Sequence, residues 1–163
     1  MAFDGEFTNL NYNSSTQGGD PLGKSIRVID PATPDKGTKE FRFIKMRVAA
    51  ASGDTIGLSA TNPATWYGDI TFASSPAYRG IGVAFGTIGA GNYGWIQIRG
   101  YIAAVTITSA SPTIAQPLAP KAGATGAIIV PSSGTANDAA CVIGTCAASG
   151  SSVTTIDAYL NCG

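Results

Sequence analysis

Arg79-Gly80-Ile81-Gly82-Val83-Ala84-Phe85-Gly86-Thr87-Ile88-Gly89-Ala90-Gly91-Asn92-Tyr93-Gly94-Trp95-Ile96-Gln97-Ile98-Arg99-Gly100 is the stretch that decides the fold class. Two runs rich in β-branched and aromatic residues, 80–85 and 93–99, suit a pleated surface. Between them Gly89, Gly91 and Asn92 supply the positive φ angles that a tight connection needs, so the segment predicts a β-hairpin. Period-2 alternation puts Tyr93, Trp95, Gln97 and Arg99 on one face of the second strand and Ile96 and Ile98 on the other. Two readings of the Tyr-Trp-Gln-Arg stripe stand side by side. Trp95 packs over its own hairpin as a core residue, or the four residues form a subunit contact, since Trp, Tyr and Arg dominate binding hot spots.

Working outward, residues 40–49 alternate in the same way. Arg42, Ile44, Met46 and Val48 fall on one side, and Phe41, Phe43, Lys45 and Arg47 on the other, the pattern of a strand with two unlike faces. Further strands are predicted at 24–29, stopped by Asp30-Pro31, and at 55–59, 65–73 and 101–108. Residues 31–38 read as turn material, and Asp54, between Gly53 and Thr55, as turn chemistry. Beyond residue 108, Ser111-Pro112, Gln116-Pro117, Ala119-Pro120 and Val130-Pro131 punctuate a low-charge stretch with candidate strands at 127–130, 139–147 and 152–160. No 3.6-residue periodicity extends beyond two turns. The expected class is therefore all-β, a small barrel or sandwich of short antiparallel strands. Residues 1–23, polar and rich in Gly, Asn and Ser, read as an extended N-terminal arm that orders on a partner. Residues 24–163 read as a single β-rich domain, with a body at 24–108 and a low-charge β extension at 109–163. Ala50-Ala51-Ser52-Gly53 echoes Ala147-Ala148-Ser149-Gly150, a similarity too short to define a repeat.

Charge is scarce and unevenly placed. The 163 residues carry 10 basic and 10 acidic side chains, 12% charged in all, against 44% hydrophobic residues; ordinary soluble domains are about 25% charged. So neutral a surface is poorly protected against association, which predicts that copies of the chain or a partner cover part of it. Seven of the ten basic residues (Lys24, Arg27, Lys36, Lys39, Arg42, Lys45 and Arg47) lie within residues 24–47, whereas residues 101–163 hold only Lys121, Asp138 and Asp157 as charges. The basic block suits a solvated strand face or an acidic protein surface better than nucleic acid, because a chain of zero net charge does not sustain the field that phosphate binding needs. No segment reaches the roughly 18 apolar residues of a membrane span. Asp4 and Glu6 replace the basic start of a secretion signal, so synthesis and first folding are expected in a cytosol. Cys141, Cys146 and Cys162 accordingly read as small buried hydrophobes with free thiols.

Several chemistries are weighed and set aside. Gly18 followed by Gly23-Lys24-Ser25 matches the phosphate-loop pattern. The mechanism requires a helix after the loop, and here a β-branched run ended by Pro31 follows instead. The chain has no histidine, which excludes Ser-His-Asp and Cys-His systems and His-ligated metals. The acids are scattered, so no catalytic, cofactor-binding or metal site is expected, and no enzyme.

The stretch Gly82-Val83-Ala84 followed by Gly91-Asn92-Tyr93-Gly94-Trp95-Ile96-Gln97-Ile98-Arg99-Gly100 resembles bacteriophage head decoration (capsid cement) proteins. Leu22-Gly23-Lys24-Ser25-Ile26, Gly37-Thr38-Lys39-Glu40-Phe41-Arg42-Phe43 and Ala50-Ala51-Ser52-Gly53-Asp54 agree with that family in wording and order. The resemblance covers residues 20–108 and leaves the C-terminal third unmatched. It implies a homotrimeric virion protein on the capsid exterior, bound to the major capsid protein and stabilising the shell, with no membrane or direct nucleic-acid partner. On that reading the capsid contacts are expected among Phe3, Phe7, Leu10, Tyr12, Lys24, Arg27, Lys36 and Lys39, and the subunit contacts among Tyr93, Trp95, Gln97 and Arg99. The competing expectation is a phage fibre or host-recognition β-module that binds a cell-surface glycan through Trp66, Tyr67 and Tyr101.

Overall fold

A computed structural model describes residues 10, 12–29, 34–58, 66–70, 80–108, 111–120, 126–129, 142–151 and 154–162. Among the described residues ten strands follow in chain order: β1 (Ser25–Ile29), β2 (Thr38–Met46), β3 (Thr55–Leu58), β4 (Tyr67–Asp69), β5 (Gly80–Ala84), β6 (Tyr93–Thr106), β7 (Pro117–Pro120), β8 (Ile128–Ile129), β9 (Gly144–Cys146) and β10 (Thr155–Asn161). A 3-10 turn at Pro34–Lys36 lies between β1 and β2 in the chain. The fold is all-β.

The hydrogen-bonded order is β1-β2-β4-β3-β5-β6-β10-β9-β7-β8, with β2 also paired to β6. That extra pairing closes β2, β4, β3, β5 and β6 into a five-stranded ring, a small barrel. β6 then runs on to pair antiparallel with β10. A bridge between Ile107 and Ile128 joins the end of β6 to β8 and closes a second ring through β10, β9 and β7. β6 is thus common to both rings. At 14 residues it spans the segments predicted as two strands, 93–99 and 101–108. Gly100 bends it without ending it: φ is +89° there, and an added Cβ would lie 2.5 Å from the Thr38 carbonyl oxygen. Only glycine accepts both conditions.

The predicted hairpin is present. β5 and β6 pair antiparallel through Val83–Gln97 and Ala84–Ile96. Its turn works differently from the expectation. Gly91 has φ +76°, but Asn92 keeps a negative φ and uses its side chain, donating from Nδ2 to Asn13 Oδ1 at 2.7 Å.

One apolar core runs through both rings, from Ile44, Met46 and Ile56 through Ile96 and Ile98 to Leu118, Ile143, Ile156 and Leu160. A second cluster of Phe41, Phe43 and Trp95 lies apart from it, covered by Leu10, Tyr12, Leu22, Ile26, Val28, Phe85 and Tyr93. The unlike faces expected of β2 are these two cores: Ile44 and Met46 enter the first, and Phe41 and Phe43 the second. Cys146 and Cys162 are buried, as expected; the Cys162 thiol donates to the Ile143 carbonyl at 3.4 Å, and Cys141 lies outside the described residues. The phosphate-loop match is not a loop-to-helix junction, since β1 begins at Ser25. Gly23 instead makes room for Trp66, whose indole Nε1 lies 2.4 Å from where a Cβ would stand.

Candidate interaction surface

Along β2 and its neighbours the basic block is held by carboxylates and aromatic rings. Lys24 pairs with Asp20, Arg27 with Glu40 at 3.4 Å, and Lys36 with Asp35 at 3.9 Å. The Arg42 guanidinium lies 4.7 Å from the Trp66 ring centre, and its Nε donates to Ser25 Oγ at 3.2 Å. Lys45 Nζ sits between two rings, 4.9 Å from Tyr93 and 5.7 Å from Tyr67. Lys36 Nζ lies 5.1 Å from the Tyr101 ring. Such contacts contribute about 0.5–1 kcal/mol each at exposed sites. Their larger effect is to fix long cationic side chains in place, which lowers the ordering entropy that a binding partner would otherwise have to overcome.

Trp66 is itself strained, with φ +56°. For a bulky side chain this is a genuine outlier. Burial against Gly23 and the Arg42 stack over-determine the position. Trp66 and Tyr67 therefore lie beneath cations of their own chain, as Tyr101 does beneath Lys36.

The N-terminal segment is docked, which corrects the expectation of an unpacked arm for its described residues. The Tyr12 ring packs 5.8 Å from Phe43, and its hydroxyl donates to the Thr16 carbonyl at 2.5 Å. Asn13 Oδ1 accepts from both Gly89 N (3.0 Å) and Asn92 Nδ2. Ser14 bridges Tyr93, with Tyr93 N donating to Ser14 O at 2.8 Å. Leu10 and Tyr12 are thus half-buried cover for the aromatic cluster and not free capsid contacts, because their apolar surface is already spent on Phe41, Phe43 and Trp95. Phe3 and Phe7 lie outside the described residues.

The other candidates divide. Lys24 and Arg27 are exposed, Lys36 is half-buried, and Lys39 is only 8% exposed, so Lys39 is corrected as a surface contact. In the Tyr93-Trp95-Gln97-Arg99 stripe, Arg99 is exposed and Tyr93 half-exposed. Trp95 (1%) and Gln97 (0%) are buried within their own chain. As subunit contacts Trp95 and Gln97 are corrected: the segment that covers this face of β6 is the chain's own, so neither reaches a neighbour. Phe43, its ring tilted against Trp95 with centres 5.0 Å apart, carried the missed signal. Phe43 and Trp95 are cross-strand partners in the β2–β6 pairing, and two facing aromatic residues bury each other.

The second ring offers a different surface. Tyr159 is 43% exposed and pairs with Tyr101 on one side and Thr145 on the other. Thr145 pairs in turn with Pro117. The row Pro117, Thr145, Tyr159, Tyr101 is uncharged. Val142 and Ile114, 49% and 65% exposed, belong to the same third of the chain. Tyr101 Oη donates to Asp157 Oδ2 at 2.6 Å. That bond, with burial adding to it, pushes the Tyr101 hydroxyl up to about 12. Burial also pushes the Cys146 thiol up, which makes it a poor nucleophile.

Searches of the sequence against protein-family models and against curated proteins find no match.

Proposed function

We propose that the protein is a structural virion component, a decoration protein that binds the outside of an icosahedral phage head as a homotrimer. One observation carries this reading: the surface is divided. The first ring and the strand β1 paired to it present fixed cations, Lys24 and Arg27 at β1 and Arg42 and Lys45 at β2. The second presents an uncharged row with exposed Tyr159, Val142 and Ile114. A cationic face suits an acidic shell, and a neutral apolar face suits contact between copies, where no like charges oppose a symmetric interface. The residues that resemble cement proteins supply β5 and the first half of β6, which pairs with the cation-bearing strand β2. Binding to the assembled shell alone stabilises it by mass action, and three linked copies add avidity.

The test is occupancy on purified heads. Wild-type protein is expected to saturate heads at a copy number matching a symmetry position of the shell. The double variant Lys24→Glu, Arg27→Glu should lose most of that occupancy while keeping its thermal transition, since both residues are exposed. Undiminished occupancy of the charge-reversed variant, or a monomer by light scattering at micromolar concentration, would overturn the proposal.

A further inference from the structure

The outer face of β2 ends on a row of three half-buried side chains. Lys45 pairs in register with Tyr67 of β4 on one side and with Tyr93 of β6 on the other. β4 takes up the edge of β2 where β1 leaves it, so the row exists only where β4, β2 and β6 meet. The ammonium is held between the two rings, with Nζ 4.9 Å from the centre of Tyr93 and 5.7 Å from that of Tyr67. Tyr93 is braced in turn. Its ring stacks 6.0 Å from Phe43, and its amide donates to Ser14 O. A cation held in this way is already ordered, so a partner does not bear the entropy of fixing a lysine.

What the row lacks is an acceptor. Lys24, Arg27 and Lys36 each pair with a carboxylate; among the described residues Lys45 has none. A ring face attracts a cation without neutralising it, and an ammonium has three N–H groups to donate. The hydroxyls of Tyr12 and Tyr101 donate to oxygens of their own chain. Among the described residues the hydroxyls of Tyr67 and Tyr93 have no acceptor. The group that completes the row is therefore an anion. Its charge is limited, because the residues that precede Lys45 on this face of β2 are the buried Phe43 and Phe41. A nucleic-acid strand needs cations spaced along its length, whereas one ammonium flanked by two neutral donors matches a single carboxylate. The face is open, so a small free acid buries little there. A carboxylate carried on a protein surface gains from the contacts around it.

We propose that Lys45, Tyr67 and Tyr93 form the docking site for one Asp or Glu side chain of a partner protein. One carboxylate oxygen accepts from Lys45 Nζ and the other from a tyrosine hydroxyl. The inference rests on the reading of this cationic face as the one that meets a partner, and names the residue on it that takes the partner's acid. The probe is a blocked hexaglutamate peptide, titrated at low salt into the full-length labelled chain, with hexaglutamine and a six-residue oligothymidylate in parallel. Hexaglutamate is expected to give saturable NMR shifts at the Lys45 side chain and the Tyr67 and Tyr93 rings, with a midpoint in the millimolar range, and hexaglutamine none. Lys45→Gln should weaken binding about fivefold, the upper end for an ion pair at a partly exposed site. Arg99→Gln removes the same charge from an exposed side chain of β6 and should change it by less than about twofold. Tyr67→Phe with Tyr93→Phe keeps both rings around the ammonium and should weaken binding about twofold by loss of the hydroxyls. Equal losses for Lys45→Gln and Arg99→Gln would reduce the effect to general charge attraction and overturn the proposal; so would a stronger response to the oligothymidylate, in favour of nucleic acid. The titration needs no capsid, which keeps the two readings separable. A Lys45-dependent response beside heads that stay undecorated would end the virion reading and leave this site standing, and no response beside decorated heads would do the reverse.

Discussion

The two rings share a strand and a core, yet they treat their outer surfaces in opposite ways. The first ring is covered twice. Its inner face packs into the common core, and part of its outer face packs into the Phe41–Phe43–Trp95 cluster beneath β1 and the N-terminal segment. The second ring buries one face and leaves the other bare, with Tyr159, Thr145 and Pro117 in the open. The difference shows where the sequence invested its aromatic residues. A second buried layer fixes the positions of cations around β2, while an uncovered neutral sheet face is surface held in reserve for something outside the chain.

Truncation tests this contrast most directly. Trp95→Ala should destabilise the isolated chain by about 3–5 kcal/mol, the usual cost of emptying a large buried aromatic site, measured by denaturant unfolding. Tyr159→Ser should stay within about 0.5 kcal/mol in the same assay; equal losses would erase the distinction between the rings. Next in size, Gly100→Ala should cost about 2–3 kcal/mol, from positive-φ strain and the clash with Thr38 O. Retention of wild-type stability would mean that the bend of β6 does not depend on glycine. Asn13→Ala should cost about 1 kcal/mol. Its sharper signature is faster hydrogen exchange at the Tyr93 amide, which bonds to Ser14 in the docked segment. Tyr159→Ser, small in stability, should shift light scattering toward the monomer if the bare face is the subunit contact.

The smallest effect is electrostatic. Tyr101 titrates near 12 in the folded protein, above its unfolded value of about 10. The folded state therefore holds this proton more tightly. The stabilisation is complete below about pH 10 and is lost as pH rises through about 12. Asp157→Asn should bring the Tyr101 transition back toward 10 in an ultraviolet titration, and an unmoved transition would show that Asp157 is not the cause.

Much of the first ring was legible in the sequence, because alternation in 40–49 and the flanking glycines of 80–100 are local signals. The ends of β2, β3 and β5 fall within a few residues of expectation. Three features escaped. β7 was hidden because Pro117 and Pro120 read as punctuation, although proline at the ends of a short strand removes no bond its interior needs. The continuity of β6 was hidden because Gly100 reads equally as a stop or as a bend. The burial of Trp95 and Gln97 was hidden because alternation assigns faces without saying what covers them. For Trp95 that cover includes Leu10, Tyr12 and Leu22, more than 70 residues away in the chain.

The sharing of β6 has a consequence for synthesis. Its near half finds β2 and β5 among residues already made when it leaves the ribosome, so the first ring can close at once. Its far half waits for β10, whose residues begin at Thr155, about fifty positions later. Throughout that interval Tyr101, Ile102 and Val105 lie on an unpaired edge, the geometry most open to joining another nascent chain. On a crowded polysome making many copies, the rate of elongation across residues 107–155 then sets the yield of correctly closed protein.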